Sequence, residues 1–221
     1  MKPKETHKFD TLGIKELMPL NAFSNQEEKD EVVIWSNFQD GSEEALIYIY
    51  RQYAAVVYNY GCQFTNDKEY VWDCVQDLFC EMIKNRSRLG KVISIKGYLF
   101  KATKRKIFKG LKKINKTMIV DNTDDLFEIS IPSGITSIGQ SGNNDQNKII
   151  EGYINELPAH QREILLLYFY EGLSYQEIAD IFEVKVKSIR TMTYRALEKL
   201  SVQLKANKDL ILTLLLTVLL K

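Results

Sequence analysis

Two stretches of this chain carry side chains whose types and spacing could do chemistry. The first runs from Lys185 to Lys208 and holds seven basic residues against one acid, Glu198. Lys185, Lys187, Ser188, Arg190 and Thr191 open it at helical spacing, with Tyr194 and Arg195 one turn later. Arg and Lys reach phosphate or guanine O6/N7, and Ser and Thr reach phosphate or base edges. The second stretch, Lys84 to Lys116, has thirteen Lys or Arg and no Asp or Glu. Within it, SIKGYLFKATKRKIFKGLKK interleaves Tyr98, Phe100 and Phe108 with cations. Cations contact phosphates while aromatic rings stack on unpaired bases, so this mixture suits single-stranded or melting DNA. Both are binding chemistries aimed at a polyanion.

The overall balance hides these blocks. Thirty Lys and Arg against twenty-nine Asp and Glu leave a net charge of +1 over 221 residues. Outside the block 84–116 the count is seventeen basic and twenty-nine acidic, a net of −12. Residues 27–83 alone hold twelve acids and three bases, the opposite sign to the basic helix that follows. Reactive groups are sparse. The sequence lacks a P-loop, an HExxH and a Gly-rich strand-to-helix turn, so no catalytic residue or cofactor is expected. Asp73 and Asp77 share a helical face at a spacing that could hold a metal, but a third ligand is missing. Cys62, Cys74 and Cys80 form no CxxC pair, and the two histidines are His7 and His160, so no metal site is expected. MKPKETHKFD has no apolar h-region, and the cysteine usage suits reduced thiols, which together predict a cytoplasmic protein.

The elements that must position these residues read as helices throughout. An apolar content of 45% with 27% charged residues is that of a globular chain. Ala45, Leu46, Ile49, Tyr53, Val56, Val57 and Tyr60 fall on one face, with Ser42 as N-cap and Gly61 near the end. Val71, Cys74, Val75, Leu78, Phe79, Met82 and Ile83 form a second run between Asn66-Asp67 and Ser87–Gly90. The third run, about Ile95 to Ile114, is apolar on one face and Lys or Arg on the others. DNTDDLFEIS and PSGITSIGQSGNNDQN then break the pattern. Helical order returns near Asn147, with Pro158 at a helix start. Gly172 stands at a left-handed C′ position, and Ser174-Tyr175-Gln176-Glu177 makes an S-x-x-E capping box. The last helix, about Val186 to Leu204, turns Ile189, Met192, Ala196, Leu197 and Leu200 inward. Two short helices, a short turn and a basic second helix give the spacing of a helix-turn-helix, whose second helix enters the major groove. The expected architecture is all-α. Residues 1–28 are an extension, 29–116 an N-terminal helical bundle, 117–148 a flexible acidic linker, 149–206 a C-terminal helix-turn-helix domain, and 207–221 an apolar tail.

ELPAHQREILLLYFYEGLSYQEIADIFEVKVKSIRTMTYRALEKL resembles region four of the sigma-70 family, through LP-x-x-x-R-E, EGLSYQEIA and YRAL-x-K-L. DGSEEALIYIYRQY, DCVQDLF and SIKGYLFKATKRK resemble region two, and the order of the two parts is that of the small extracytoplasmic-function (ECF) sigma factors. The resemblance spans about residues 37–116 and 150–204. It implies a transcription initiation factor that binds core RNA polymerase and promoter DNA. Region four would read the −35 element as duplex through Ser174, Tyr175, Gln176, Lys185, Lys187, Ser188, Arg190, Thr191, Tyr194 and Arg195. Region two would hold the −10 element as separated strand through Lys96, Tyr98, Lys101, Lys104, Arg105, Phe108 and Lys109. Asp73, Gln76, Asp77, Leu78 and Phe79 would meet core polymerase. The competing reading is a stand-alone helix-turn-helix regulator. Family members commonly carry Asn at the place of Arg105 and Asp at that of Lys109. They commonly carry Gly at the place of Glu183 and Ser at that of Lys185. Losing that Ser cap removes about 1 kcal/mol of helix-end stabilisation. A cation at the positive end of a helix is unfavourable unless a phosphate lies there, which favours contact between Lys185 and DNA.

The chain ends DLILTLLLTVLLK. As a helix, Leu210 to Leu220 would be about 16 Å long, too short for the roughly 30 Å hydrocarbon core of a bilayer. Four fates stay open: a last core helix, a groove between the domains, a partner such as an anti-sigma factor, or a membrane surface.

Overall fold

The computed structural model describes residues 31–114, 127 and 152–204, and all regular structure among them is helical. The expected extension, the tail and all of the expected linker but Phe127 lie outside the described residues.

Four helices form the N-terminal unit. α1 (Glu31–Gln39) buries Ile34, Trp35 and Phe38. α2 (Glu43–Gly61) starts where the Ser42 hydroxyl accepts from the Ala45 N–H at 3.2 Å, with Glu43 and Glu44 at its positive end. It buries Ala45, Ile49, Tyr53, Val57 and Tyr60. α3 (Lys68–Asn85) is capped by Asp67, whose carboxylate accepts from the Tyr70 N–H at 3.0 Å, and ends in a 3-10 turn, Arg86–Arg88. α4 (Ile95–Ile114) is the cationic helix. A Cβ on Gly61 would sit 2.7 Å from Val71 Cγ1 and 3.1 Å from Ile107 Cδ1, so glycine is what lets α2, α3 and α4 approach there.

After a helical turn at 152–155, the C-terminal unit continues with α5 (Ala159–Leu165), which loosens into a π-helical turn, Leu166–Tyr170. Pro158 is the N-cap of α5 and not its first helical residue; in either place its missing N–H leaves no bond unmade. Gly172 takes φ 71°, as a left-handed position requires. α6 (Tyr175–Phe182) carries the full capping box: Ser174 Oγ accepts from the Glu177 N–H at 3.3 Å, and the Glu177 carboxylate accepts from the Ser174 N–H at 2.7 Å. α7 (Val186–Leu204) is the last described helix. Its buried row is Ile189, Thr193 and Ala196, with Met192 and Leu200 half-buried. Leu197, expected inward, is 42% exposed, because it lies one step of about 100° off that row.

The two units share one apolar core. α4 rests on α2 and α3 with one side and on α6 with the other. Buried Leu99, Phe100 and Ile107 of α4 join Ile49, Val57 and Tyr60 behind them and Ile164, Leu167 and Ile178 in front. Leu157, Leu165 and Ala196 form a second, smaller cluster where α5 meets α7.

Candidate nucleic-acid interface

α6 braces α7 from below, as a helix-turn-helix requires. Lys185, Lys187, Ser188, Arg190, Thr191, Tyr194 and Arg195 are all exposed, with Tyr194 at 68%. The Lys185 carbonyl accepts the Ser188 N–H at 2.8 Å, so Lys185 stands at the mouth of α7. Thr191 Oγ1 donates to the Lys187 carbonyl at 2.9 Å. Arg190 lies 5.7 Å from the ring of Tyr175, which is stacked on Tyr168 at 4.4 Å. Gln176 is exposed, whereas the Ser174 hydroxyl is engaged in its cap.

α4 is built differently. The Glu31 carboxylate accepts from the Ile95 N–H at 2.8 Å and from the Tyr53 hydroxyl at 2.7 Å, which fixes its start. Its cations then meet carboxylates of the C-terminal unit. Lys96 Nζ lies 2.6 Å from Glu171, and Lys101 Nζ lies 3.5 Å from both Asp180 and Glu183. Lys104 Nζ lies 2.7 Å from Glu163 and 4.0 Å from the centre of the Phe182 ring. Arg105 pairs with Glu183 and holds its carboxyl below the usual range through that hydrogen bond. Glu163 is only 1% exposed and also accepts from the Tyr60 hydroxyl at 2.6 Å. Burial first, and then the charge of Glu163, push the Tyr60 phenol well above its ordinary value. Lys106 faces the other way, to Glu81 at 2.8 Å and Asp77 at 3.8 Å, and Lys109 is exposed.

The aromatics divide by depth. Phe100, read as a base-stacking candidate, is fully buried and stacks on Tyr60 at 4.4 Å; that reading is corrected. Phe108 is half-buried, with its ring against Phe64 at 5.2 Å. Tyr98 packs on Trp35 at 5.0 Å and still lines a groove of about 360 Å³ between α3 and α4, with Met82, Lys101, Arg105 and Lys109.

On α3, Asp73, Gln76 and Asp77 are exposed and form an acidic strip. Leu78 and Phe79 are 3% and 1% exposed, and Phe79 packs on Tyr50 at 4.9 Å. Their expected contact with polymerase is corrected. One and two residues past Asp77, the helical step carries them round to the core.

Sequence reasoning missed four residues. Glu31 caps α4, and Glu163 is a carboxylate in the buried row of α5. Phe127, inside the expected flexible linker, is 2% exposed and lies against Phe64 at 5.1 Å. Arg162 ties it down: Arg162 donates to the Phe127 carbonyl at 2.8 Å and to the Asn155 and Leu157 carbonyls at 2.7 Å each. The signal available for Glu163 was its place among apolar residues, next to Ile164 and one turn before Leu167. Among the described residues, no helix is long and apolar enough to cross a membrane. Among the same residues, no three His, Cys, Asp or Glu side chains gather into a metal-binding group.

Residues 49–117 match the family profile described as Sigma-70 region 2, and residues 147–200 match Sigma-70, region 4, together more than half the chain. The chain is 24% identical over 152 residues to the ECF RNA polymerase sigma factor SigM of Bacillus subtilis, covering 69% of this chain and 90% of that one. It is 24% identical over 147 residues to the RNA polymerase sigma factor SigV of the same organism, covering 66% and 83%. Among solved structures, CnrH in complex with the cytosolic domain of CnrY superposes with a TM-score of 0.54 at 17% identity, covering 80% of this chain and 98% of that one. The sigma factor RpoE of Bartonella quintana, in complex with the anti-sigma factor NepR, gives 0.52 at 20% identity, covering 75% and 97%.

Proposed function

We propose, from the premise that this chain belongs to the sigma-70 family as an ECF sigma factor and directs core RNA polymerase to promoters, the following division of labour among its residues. The exposed face of α7 reads the −35 duplex, with Lys187, Ser188, Arg190 and Thr191 at base edges and Lys185, Tyr194 and Arg195 on phosphates. Ser174, Tyr175 and Gln176 set that face and its backbone contacts from the start of α6. α4 holds the separated −10 strand: Lys96, Lys101, Lys104, Arg105 and Lys109 neutralise phosphates and Tyr98 offers its ring beside the groove. Asp73, Gln76 and Asp77 dock on core polymerase. The acidic strip of α3 and the cationic side of α4 keep the protein partner and the DNA on surfaces of opposite sign.

The observation that carries this reading is the pairing, in one chain, of a braced cationic helix with an open face and a second cationic helix beside a groove lined by Tyr98 and by Lys101, Arg105 and Lys109. The protein works in the cytoplasm by positioning and performs no reaction of its own. The complex of the Bartonella quintana sigma factor RpoE with the anti-sigma factor NepR supports an anti-sigma factor as a further partner. In vitro transcription tests the reading directly, with purified protein, bacterial core polymerase and a pool of genomic promoter fragments. Promoter-specific transcripts that core alone does not make are expected. Salt-sensitive duplex binding with no such transcripts would favour the stand-alone regulator instead.

A further inference from the structure

We infer that Tyr168 is a positioning residue for duplex reading: stacked on Tyr175, it stiffens the aromatic shelf at which the Arg190 guanidinium is held ready for a base edge. The inference rests on the reading of α7 as the −35 helix and names what tunes its selectivity. Three elements meet at this point. Tyr168 comes from the π-helical turn after α5, Tyr175 from the first residue of α6, and Arg190 from the second turn of α7. The Tyr168 and Tyr175 rings are 4.4 Å apart and within 10° of parallel. Arg190 lies over the Tyr175 ring at 5.7 Å. Phe169 meets the Tyr168 ring edge-on at 4.9 Å and packs on the small core of Leu157, Leu165 and Ala196. The shelf is therefore footed in the core and ends at a cation.

The backbone shows how the shelf is made. A π-helical turn closes its hydrogen bonds over five residues, and such turns gather at functional sites. Here the Glu171 N–H donates to the Leu166 carbonyl at 2.9 Å, and the Leu173 N–H donates to the Leu167 carbonyl at 2.9 Å. Gly172, at φ 71°, lets the chain reverse at once into α6. That reversal brings Tyr168 and Tyr175 face to face. The rim of the stack is polar. Burial first, and then a hydrogen bond with Tyr168, push the Tyr175 phenol up, while Thr193 and the charge of Arg190 pull it back. Thr193 belongs to the buried row of α7, where its Oγ1 donates to the Ile189 carbonyl at 2.9 Å.

Among the described residues, Arg190 is the one cation of α7 that lies over a ring. An arginine has much rotamer freedom to lose when it grips a base. A guanidinium held at a ring has lost part of that freedom before DNA arrives. Two N–H donors fixed in one plane are what guanine O6 and N7 require, whereas a phosphate is reached from many directions and gains little from a fixed plane. Pre-ordering therefore favours the matched base over the backbone. Tyr168 need not touch DNA, because it acts through Tyr175.

The test uses the full chain assembled with bacterial core polymerase, and as probe a library of duplexes with a randomised window. Sequencing the bound duplexes reads base preference position by position, and urea unfolding of each variant reads its stability. Arg190→Ala should flatten the preference at about one or two neighbouring positions. Tyr168→Leu should lower the preference at those same positions about two- to fivefold and leave the others unchanged. Tyr168→Phe, which keeps the stack, should retain the wild-type preference. In an Arg190→Ala background, Tyr168→Leu should change nothing further. A loss spread over all positions in step with the urea midpoint, or one undiminished in the Arg190→Ala background, would make Tyr168 a packing residue and overturn its positioning role. Flattening by Arg190→Ala while Tyr168→Leu leaves the preference whole would overturn that role alone. No flattening by Arg190→Ala would sink both, since Arg190 would then read no base.

Discussion

α4 and α7 are both cationic helices of nearly equal length, 20 and 19 residues, yet their charges have different fates. α4 carries eight Lys or Arg and α7 four. The richer helix has five of its cations held by carboxylates, while Lys187, Arg190 and Arg195 of the poorer helix are exposed. The cause is position in the fold. α4 lies in the middle, with α2 and α3 on one side and α6 on the other, so acidic edges reach it from both flanks. α7 is braced on its inner face alone. A count of charges locates a polyanion footprint, and the neighbours decide whether that footprint is available.

The comparison is sharpest where one chemical change is made on both helices. Lys104→Met strands the buried Glu163 carboxylate with only the Tyr60 hydroxyl for company. Removing one partner of a buried pair costs about 3–5 kcal/mol, read as a drop in the urea midpoint at pH 7. Lys187→Met removes an exposed head and should shift the same midpoint by less than about 0.5 kcal/mol. Equal losses would mean that the two helices are equally solvated and that the Lys104–Glu163 contact does not stand in solution.

DNA binding should invert that order. Arg190→Ala should cost about 1–3 kcal/mol of affinity for a cognate −35 duplex if the guanidinium reads a base. If it meets only phosphate, the loss is uniform across sequences and the salt slope falls by about one. Arg105→Ala should leave duplex affinity within about 0.5 kcal/mol, because its head is already engaged by Glu183. Titrations at two salt concentrations measure both. A loss from Arg105→Ala as large as that from Arg190→Ala would place α4 on the duplex and break the contrast.

These differences mark what sequence could and could not reveal. Ser42, Asp67 and the Ser174–Glu177 box were legible because caps are local: three or four residues and one hydrogen bond define each. The exposed face of α7 was legible for the same reason, since one helix and one turn create it. Leu78 and Phe79 went wrong through a step of 100°, where a motif was carried over whole although a helix presents only part of it to a partner. Phe100 went wrong because a ring beside cations looks the same whether it faces a base or Tyr60. The pairs of Glu163 with Lys104, Glu171 with Lys96 and Glu183 with Arg105 were invisible, because the partners lie 59, 75 and 78 residues apart in sequence and no local pattern encodes such a contact. Phe127 was hidden by its surroundings: polar neighbours make a linker, and one anchored ring does not change the composition.

The smallest predicted effect concerns the brace itself. Ser174→Ala removes the acceptor for the Glu177 N–H and should cost about 1 kcal/mol of stability at neutral pH. The Glu177 carboxyl feels two opposed influences. Partial burial raises it, and hydrogen bonds from Ser174 and Ser94, with the charge of Lys96, outweigh that and lower it overall. A carboxyl depressed in the folded state adds stability that is present above its unfolded value and is lost as pH falls through its folded one. The gap between the wild type and Ser174→Ala should therefore be widest near pH 7 and narrow below the ordinary carboxylate range. Ser94 and Lys96 belong to the start of α4, so the cap that aims α7 also leans on the helix it is contrasted with. Changing Ser94 to Ala in the wild type should raise the Glu177 carboxyl, as NMR titration of its side chain reads. A Glu177 titration unmoved by that change would show that the start of α4 does not reach the cap.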